Sequence, residues 1–190
     1  MPDTSPIAIV LAAGKGTRME SDLPKVLHEA AGKTLLDWVL DALQDAGCRD
    51  QIVVIGYGAD RVRTSIGERA GIQFAVQQKQ QGTGDAVRAA APRLESLVAA
   101  SDQPRPVVIV CGDSPLLRSS SIHSLLESFE TTNAACLLGT AMTKDPSGLG
   151  RIVRGADKQF VRITEEKDAT ESERGIREVN MSTYIFASDQ

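Results

Sequence analysis

A short stretch near the N-terminus carries the residues best suited to chemistry: Leu11-Ala12-Ala13-Gly14-Lys15-Gly16-Thr17-Arg18-Met19, followed by Pro24-Lys25. Small residues at 12–14 let the backbone approach a ligand closely, and N–H groups exposed there can cradle phosphates or pair with a base edge. Arg18 offers a planar fork for phosphate oxygens, and Lys25 a compact positive charge. No Gly-Lys-Ser/Thr closes the loop, so it is not the P-loop of nucleoside triphosphatases. Position 19 is Met, so the Gly-x-Gly-x-x-Gly dinucleotide fingerprint is also incomplete. On spacing alone, a glycine turn with two solvated cations stays open as an alternative.

Three further constellations follow. Gln77 ends an apolar run, and its amide can match both a donor and an acceptor on a pyrimidine edge. Gly82 permits close approach and the Thr83 hydroxyl can add a hydrogen bond; the rival account is a Gln-rich loop capping a helix. Gly112-Asp113 follows the run VVIVC. A carboxylate at the end of a strand beside a nucleotide is a natural Mg²⁺ ligand; a cap on the turn at Ser114-Pro115 competes with that reading. Gly150, Glu165 and Asn180 say little in isolation, and Glu165 lies in a charge run of the kind that usually forms a solvated loop.

The elements that must position these residues alternate between two periodicities. Residues 7–12 (IAIVLA) form a continuous apolar run, as for a strand buried on both faces. Leu35, Leu36, Val39, Leu40 and Leu43 then make one helical stripe over 34–46, stopped at Gly47. Strands are predicted at 51–55, 72–76, 107–111, 134–142 and 178–187, and helices at 60–69, 84–98 and 119–129. Pro92 should kink or split the 84–98 helix. RIVR and QFVRI flank the turn GADK and predict a hairpin. Alternating strands and helices imply βαβ units: an α/β, Rossmann-like three-layer α/β/α fold, mostly parallel, with an antiparallel hairpin addition. Ligands of such sheets bind beyond the carboxyl ends of the strands, which marks the loops 13–25, 77–83 and 112–115.

Composition narrows the partners. The 190 residues suit one domain with one core. Aromatics make up 4%, too few for the stacking platforms of a single-stranded nucleic-acid binder, and the net charge of −4 argues against bulk attraction to nucleic acid or an anionic membrane. An anionic ligand must be held by local cations and backbone N–H groups. Cys48, Cys111 and Cys136 are scattered, without a Cys-x-x-Cys pair, and read as reduced structural thiols of a cytoplasmic protein. The N-terminus has no signal-peptide pattern, and no run approaches the ~18 apolar residues that span a bilayer. Oligomeric state is not legible.

The quoted residues carry a resemblance. Leu11 to Met19, with Leu23-Pro24-Lys25-Val26-Leu27-His28 and Ala31-Gly32-Lys33, resembles the signature of the sugar-nucleotide pyrophosphorylases. Within that superfamily it is most similar to the bacterial N-acetylglucosamine-1-phosphate uridylyltransferases. The generic first part is shared with cytidylyl- and guanylyltransferases. The similarity continues through Gln81-Gly82-Thr83-Gly84, Gly112 to Pro115, Asp145 to Ile152, Glu165 to Ala169 and Glu178-Val179-Asn180, in order along nearly the whole chain. Met181-Ser182 stands where that family commonly has Thr-Gly.

The resemblance implies a nucleotidyltransferase fold and the reaction of UTP with N-acetylglucosamine 1-phosphate to give UDP-N-acetylglucosamine and pyrophosphate. It assigns the nucleotide to Leu11, Ala12, Ala13, Gly14, Lys25, Gln77, Gly82, Thr83 and Gly112, and the sugar to Gly150, Glu165 and Asn180. Catalysis falls to Arg18, Lys25 and Asp113, with Asp113 holding Mg²⁺. The family's catalytic domain continues past the strand that ends this chain and supplies a second metal-ligating Asn; bifunctional members add a left-handed β-helix acetyltransferase domain. Residues 1–190 are therefore expected to be the pyrophosphorylase domain without its C-terminal part and without the β-helix. The competing expectations are a related nucleotidyltransferase for another base or sugar, a nucleotide-binding fragment without activity, and an oxidoreductase on a Rossmann-like sheet.

Overall fold

The computed structural model describes residues 4–16, 19–101, 103–132 and 134–188. The chain forms two compact units, Met1–Leu137 with Ile185–Gln190, and Leu138–Tyr184.

The first unit is built on β1 (Ile7–Ala12), whose Ile7 to Val10 are fully buried. It pairs in parallel with β4 (Asp50–Ile55) on one side and β6 (Pro106–Cys111) on the other, so that Ile9 lies between Ile52 and Ile109. β5 (Ile72–Val76) extends the sheet beyond β4, again in parallel. An unbroken apolar run is the pattern expected of a strand with neighbours on both edges and helices on both faces. Successive residues of β1 alternate between those faces. Ala8, Val10 and Ala12 join one apolar cluster with Leu36, Val39, Leu40 and Leu43 of α1 (Leu35–Asp45), Val62 and Ile66 of α2 (Ala59–Ile66), and Ile122 and Leu126 of α4 (Ser119–Thr131). Ile7, Ile9, Ile52 and Val54 lie outside that cluster, and α3 (Thr83–Ala99) packs against β1, β4 and β5, burying Ala86 and Ala90. The outcome is the expected three layers. α2 ends sooner than 69 because Gly67, at φ 62°, turns the chain out of the helix.

Of the two effects expected of Pro92, a split does not occur. The helix around it is continuous from Thr83 to Ala99. Pro92 lies on the exposed face, where the carbonyl one turn back, deprived of its N–H partner, can be hydrated, so the missing bond is tolerated.

Two short elements were not legible. Glu29–Ala30 (β2) and Lys33–Thr34 (β3) form a two-residue hairpin, with Ala31 and Gly32 at φ 51° and 81°. Such turns need positive φ at both central positions. The Trp38 indole N–H donates to Ala30 O at 2.7 Å, and Lys33 Nζ stands 4.9 Å from the Trp38 ring centre, tying the hairpin to α1. Thr34 caps α1 by accepting from Asp37 N at 3.0 Å.

The second unit is antiparallel. β8 (Arg151–Arg154) and β9 (Phe160–Thr164) form the expected hairpin, with a bulge at Val153/Arg154 and a turn closed by Lys158 N donating to Gly155 O at 2.9 Å. β10 (Glu178–Ala187) pairs with β8 and with β7 (Cys136–Met142). α5 (Glu171–Arg174) carries a full capping box between Thr170 and Glu173.

Candidate active site

The loop after β1 is tied down from several directions. Ala13 O accepts from Tyr57 N at 3.1 Å and from Gln80 Nε2 at 2.9 Å. Asp22 O accepts from Arg61 Nη1 at 3.0 Å. Gly58, at φ 62°, lets Pro24 close in: a Cβ there would stand 2.5 Å from Pro24 Cγ. Gly16 does the same for Lys25, whose Cβ would lie 2.6 Å from an added Cβ. Glycine is required at both positions by conformation and by space. Around Gly14, in contrast, a Cβ would meet nothing within 4 Å, so the backbone that follows Leu11, Ala12 and Ala13 borders open space. Lys15, Glu20, Ser21 and Asp22 line a groove of about 260 Å³, and Lys15 Nζ sits 5.3 Å from the Tyr57 ring centre. Arg18 lies outside the described residues, as does Thr17.

Lys25 forms an ion pair with Asp113, each side chain about a third exposed (34% and 28%). The pairing follows from strand order: β6 lies next to β1, and Gly112 N donates to Leu11 O at 2.9 Å, placing residue 113 beside the loop. Gly112 is tightly enclosed, since a Cβ would come within 3.2 Å of Leu11 O and of Leu36 Cδ1. Asp113 thus faces a cation, while the turn after it is closed by Leu117 N donating to Ser114 O at 3.0 Å.

Gln77 follows β5, and its backbone N donates to Ile55 O at 2.8 Å. Its side chain is buried, and Nε2 donates to Gly82 O at 3.1 Å and to Asp85 Oδ2 at 2.9 Å. Both amide hydrogens are therefore committed inside the protein, leaving Oε1 as the group Gln77 can offer. Gly82 holds φ 105° at the start of α3, a conformation closed to other residues in practice, and Thr83 stands exposed in its first turn. Gln77, Gln78, Lys79, Gln81, Asp85 and Arg88 line a groove of about 310 Å³.

In the second unit the three sugar candidates meet. Asn180 N donates to Gly150 O at 2.8 Å, and a Cβ on Gly150 would lie 3.4 Å from Glu165 Oε1 and 3.5 Å from Asn180 Cβ. The Asn180 amide donates to the Tyr184 hydroxyl at 2.9 Å and accepts from Ser182 N at 2.9 Å. Ser182 has φ 52°, the left-handed conformation that favours the glycine common in the resembled family.

Sequence reasoning missed the ion pair between the chain neighbours of Gly150 and Glu165. Arg151 is almost wholly buried; it donates to Glu166 Oε2 at 2.6 Å and also to Leu149 O. Glu166 Oε2 accepts from Gly148 N at 3.1 Å as well. The hydrogen bond from Arg151, then that from Gly148, holds the Glu166 carboxyl below its ordinary range. Only the change from a glycine-rich turn to a charged residue at the head of a strand could have signalled Arg151. Cys48 is buried and burial pushes its thiol up to about 12, as suits a structural cysteine, whereas Cys136 is exposed. Among the described residues, no three His, Cys, Asp or Glu side chains gather as a metal site, and no helix is long and apolar enough to cross a membrane.

A parallel α/β sheet with a small-residue loop after its first strand, and a Lys–Asp pair where two central strands end, defines a nucleotidyltransferase-type architecture. A profile of the MobA-like NTP transferase domain matches residues 8–178, and the chain belongs to that family. It is similar to the bifunctional protein GlmU of Heliobacterium modesticaldum, 47% identical over 179 residues, and to that of Geobacillus thermodenitrificans, 44% identical over 179 residues. The match covers 94% of this chain and 37% of each relative, so the chain spans little more than a third of their length. The fold is that of HddC from Yersinia pseudotuberculosis, with a TM-score of 0.73 at 20% identity over 97% of this chain and 77% of that one. A Bacillus anthracis protein described as a glucose-1-phosphate thymidylyltransferase superposes with a TM-score of 0.79 at 16% identity over 97% of this chain and 72% of its own.

Proposed function

We propose that this chain transfers a uridylyl group from UTP to N-acetylglucosamine 1-phosphate, giving UDP-N-acetylglucosamine and pyrophosphate. The observation that carries the proposal is the Lys25–Asp113 pair, with Lys25 packed on Gly16 of the loop after β1, in a chain 47% identical to a GlmU protein. The first unit takes the nucleotide and the second, through Gly150, Glu165 and Asn180, the acetylated sugar.

The acceptor is already an anion, so no general base is needed, and the protein's task is positioning and charge neutralisation. A sugar-phosphate oxygen attacks the α-phosphorus in line. The bond from that phosphorus to the bridging oxygen breaks, and pyrophosphate departs with the electron pair. Lys25 and Arg18 neutralise the charge that accumulates on the departing pyrophosphate. The backbone at 11–14 packs close to the nucleotide, which excludes water from one side of it.

Asp113 suits Mg²⁺ as a hard, partly exposed carboxylate just past a strand end: one oxygen pairs with Lys25, and phosphate oxygens and water would complete the metal's shell. When bound there, Mg²⁺ would supply positive charge to the phosphate oxygens.

The test is pyrophosphate release with UTP, CTP or GTP against several sugar phosphates, run with and without Mg²⁺ and with Asp113→Ala in parallel. Release confined to UTP with N-acetylglucosamine 1-phosphate and lost in Asp113→Ala supports the proposal. Release with another pair assigns a different transferase. Nucleotide binding without release leaves a binding fragment.

A further inference from the structure

Gln77 has a second-row partner whose role is chemical rather than spatial. A carboxamide is nearly symmetric in shape and wholly asymmetric in hydrogen bonding: Nε2 only donates, with two hydrogens, and Oε1 only accepts. A half-turn about the terminal torsion would exchange the two and reverse what Gln77 shows to a ligand. Gly82 O and the Asp85 carboxylate, at 3.1 and 2.9 Å from Nε2, are both acceptors. A flipped amide would set Oε1 against two oxygens with no proton between them. Gly82 O also receives the first hydrogen bond of α3, from Ala86 N at 3.1 Å, which fixes its direction. Asp85 sits in the first turn of that helix, where the amide dipoles favour a carboxylate. The Gln77 backbone is anchored on β4. The Gln77 backbone and the Gly82 carbonyl are thus each held by a hydrogen bond, and the carboxylate supplies the charge that makes the orientation one-way.

We propose that Asp85 is a positioning residue that locks the Gln77 amide with its oxygen outward, selecting nucleotides whose ring edge offers an N–H. This rests on the proposal that the loops after β1 and β5 hold the nucleotide of a uridylyltransferase. Uracil carries a ring N3–H donor, which a lone acceptor matches. Cytosine carries an unprotonated N3 in the same place, and two acceptors then face one another. One hydrogen bond replaced by an unpaired contact corresponds to on the order of 10- to 100-fold in affinity. Without Asp85, the amide keeps only Gly82 O as an internal partner and can turn to suit either base.

The experiment is equilibrium binding of UTP and of CTP, each with Mg²⁺, to the full 190-residue chain and to Asp85→Ala and Asp85→Asn, with the melting temperature of each protein. The lock predicts a wild-type preference for UTP that falls about tenfold in Asp85→Ala. Asp85→Asn should fall less, because its own carbonyl can still accept from Gln77. A residue that only supported α3 would weaken both nucleotides alike and lower the melting temperature, and an unchanged UTP-to-CTP ratio in both variants overturns the lock. A wild type with no UTP preference overturns the lock and the uridylyl proposal together. A wild type that prefers UTP through Asp85 but releases no pyrophosphate leaves the lock standing and removes the transfer activity alone.

Discussion

Lys25 and Asp113 neutralise one another across the carboxyl ends of β1 and β6. With both side chains about a third exposed, such a pair contributes no more than about 1 kcal/mol to stability. The two residues are therefore available for chemistry at little structural cost. Asp113→Ala and Lys25→Met should each shift the melting temperature by less than about 4 °C, while pyrophosphate release from UTP falls by about 100-fold or more. A thermal melt beside a release assay checks both halves.

If transfer proceeds as proposed, Arg18→Ala lowers turnover more than tenfold while UTP binding survives in part, because the guanidinium's proposed role is on charge that grows during transfer. Single-turnover rates measured alongside UTP affinity separate the two. Unchanged turnover removes Arg18 from the scheme.

Gly82→Ala should be costly. At φ 105° and ψ −178° an alanine is strained by about 1–3 kcal/mol. Any relaxation moves the Gly82 carbonyl that receives Gln77. Both the urea midpoint and UTP affinity should fall; loss of stability with UTP affinity intact would separate the turn from the base site.

Ser182 holds φ 52° next to Asn180. Ser182→Gly should relieve roughly 1 kcal/mol and raise the melting temperature by a few degrees. The hydrogen bond from residue 182 N to Asn180 Oδ1 needs no side chain, so sugar-phosphate affinity should hold. A drop in melting temperature would contradict the strain.

Acid should loosen the second unit. Glu166 is held low by Arg151, Glu178 by Arg154, and Glu173, bonded first by Thr170, is lowered to about 2. Each carboxyl binds its proton less readily folded than unfolded. Its contribution is complete above an ordinary value of about 4.5 and is lost as pH falls through the folded value. The melting temperature should stay level from pH 8 to about 5 and decline below it, with a shallower decline in Arg151→Met.

The parts of this protein readable from sequence are those that depend on near neighbours. The run IAIVLA announced a strand buried on both faces and the leucine spacing announced α1, because each pattern reflects contacts within a few residues. The order of the motifs along the chain carried the family. The hairpin at residues 29–34 escaped, since Ala31-Gly32 is a weak turn signal beside Asn-Gly. Pro92 does not split its helix, because on an exposed face the carbonyl left without a partner can be hydrated.

Partnership across the chain belonged to the tertiary structure. Lys25 and Asp113 meet only because β6 lies beside β1. Gln77 looked equally able to donate and to accept; burial against Gly82 and Asp85 consumed its donors and left an acceptor. Arg151 drew no notice in the sequence and is buried, paired with Glu166. Residue type sets what a side chain can do, but low-dielectric packing and the carbonyls and carboxylates that close around it settle which of those capacities remains to face a ligand.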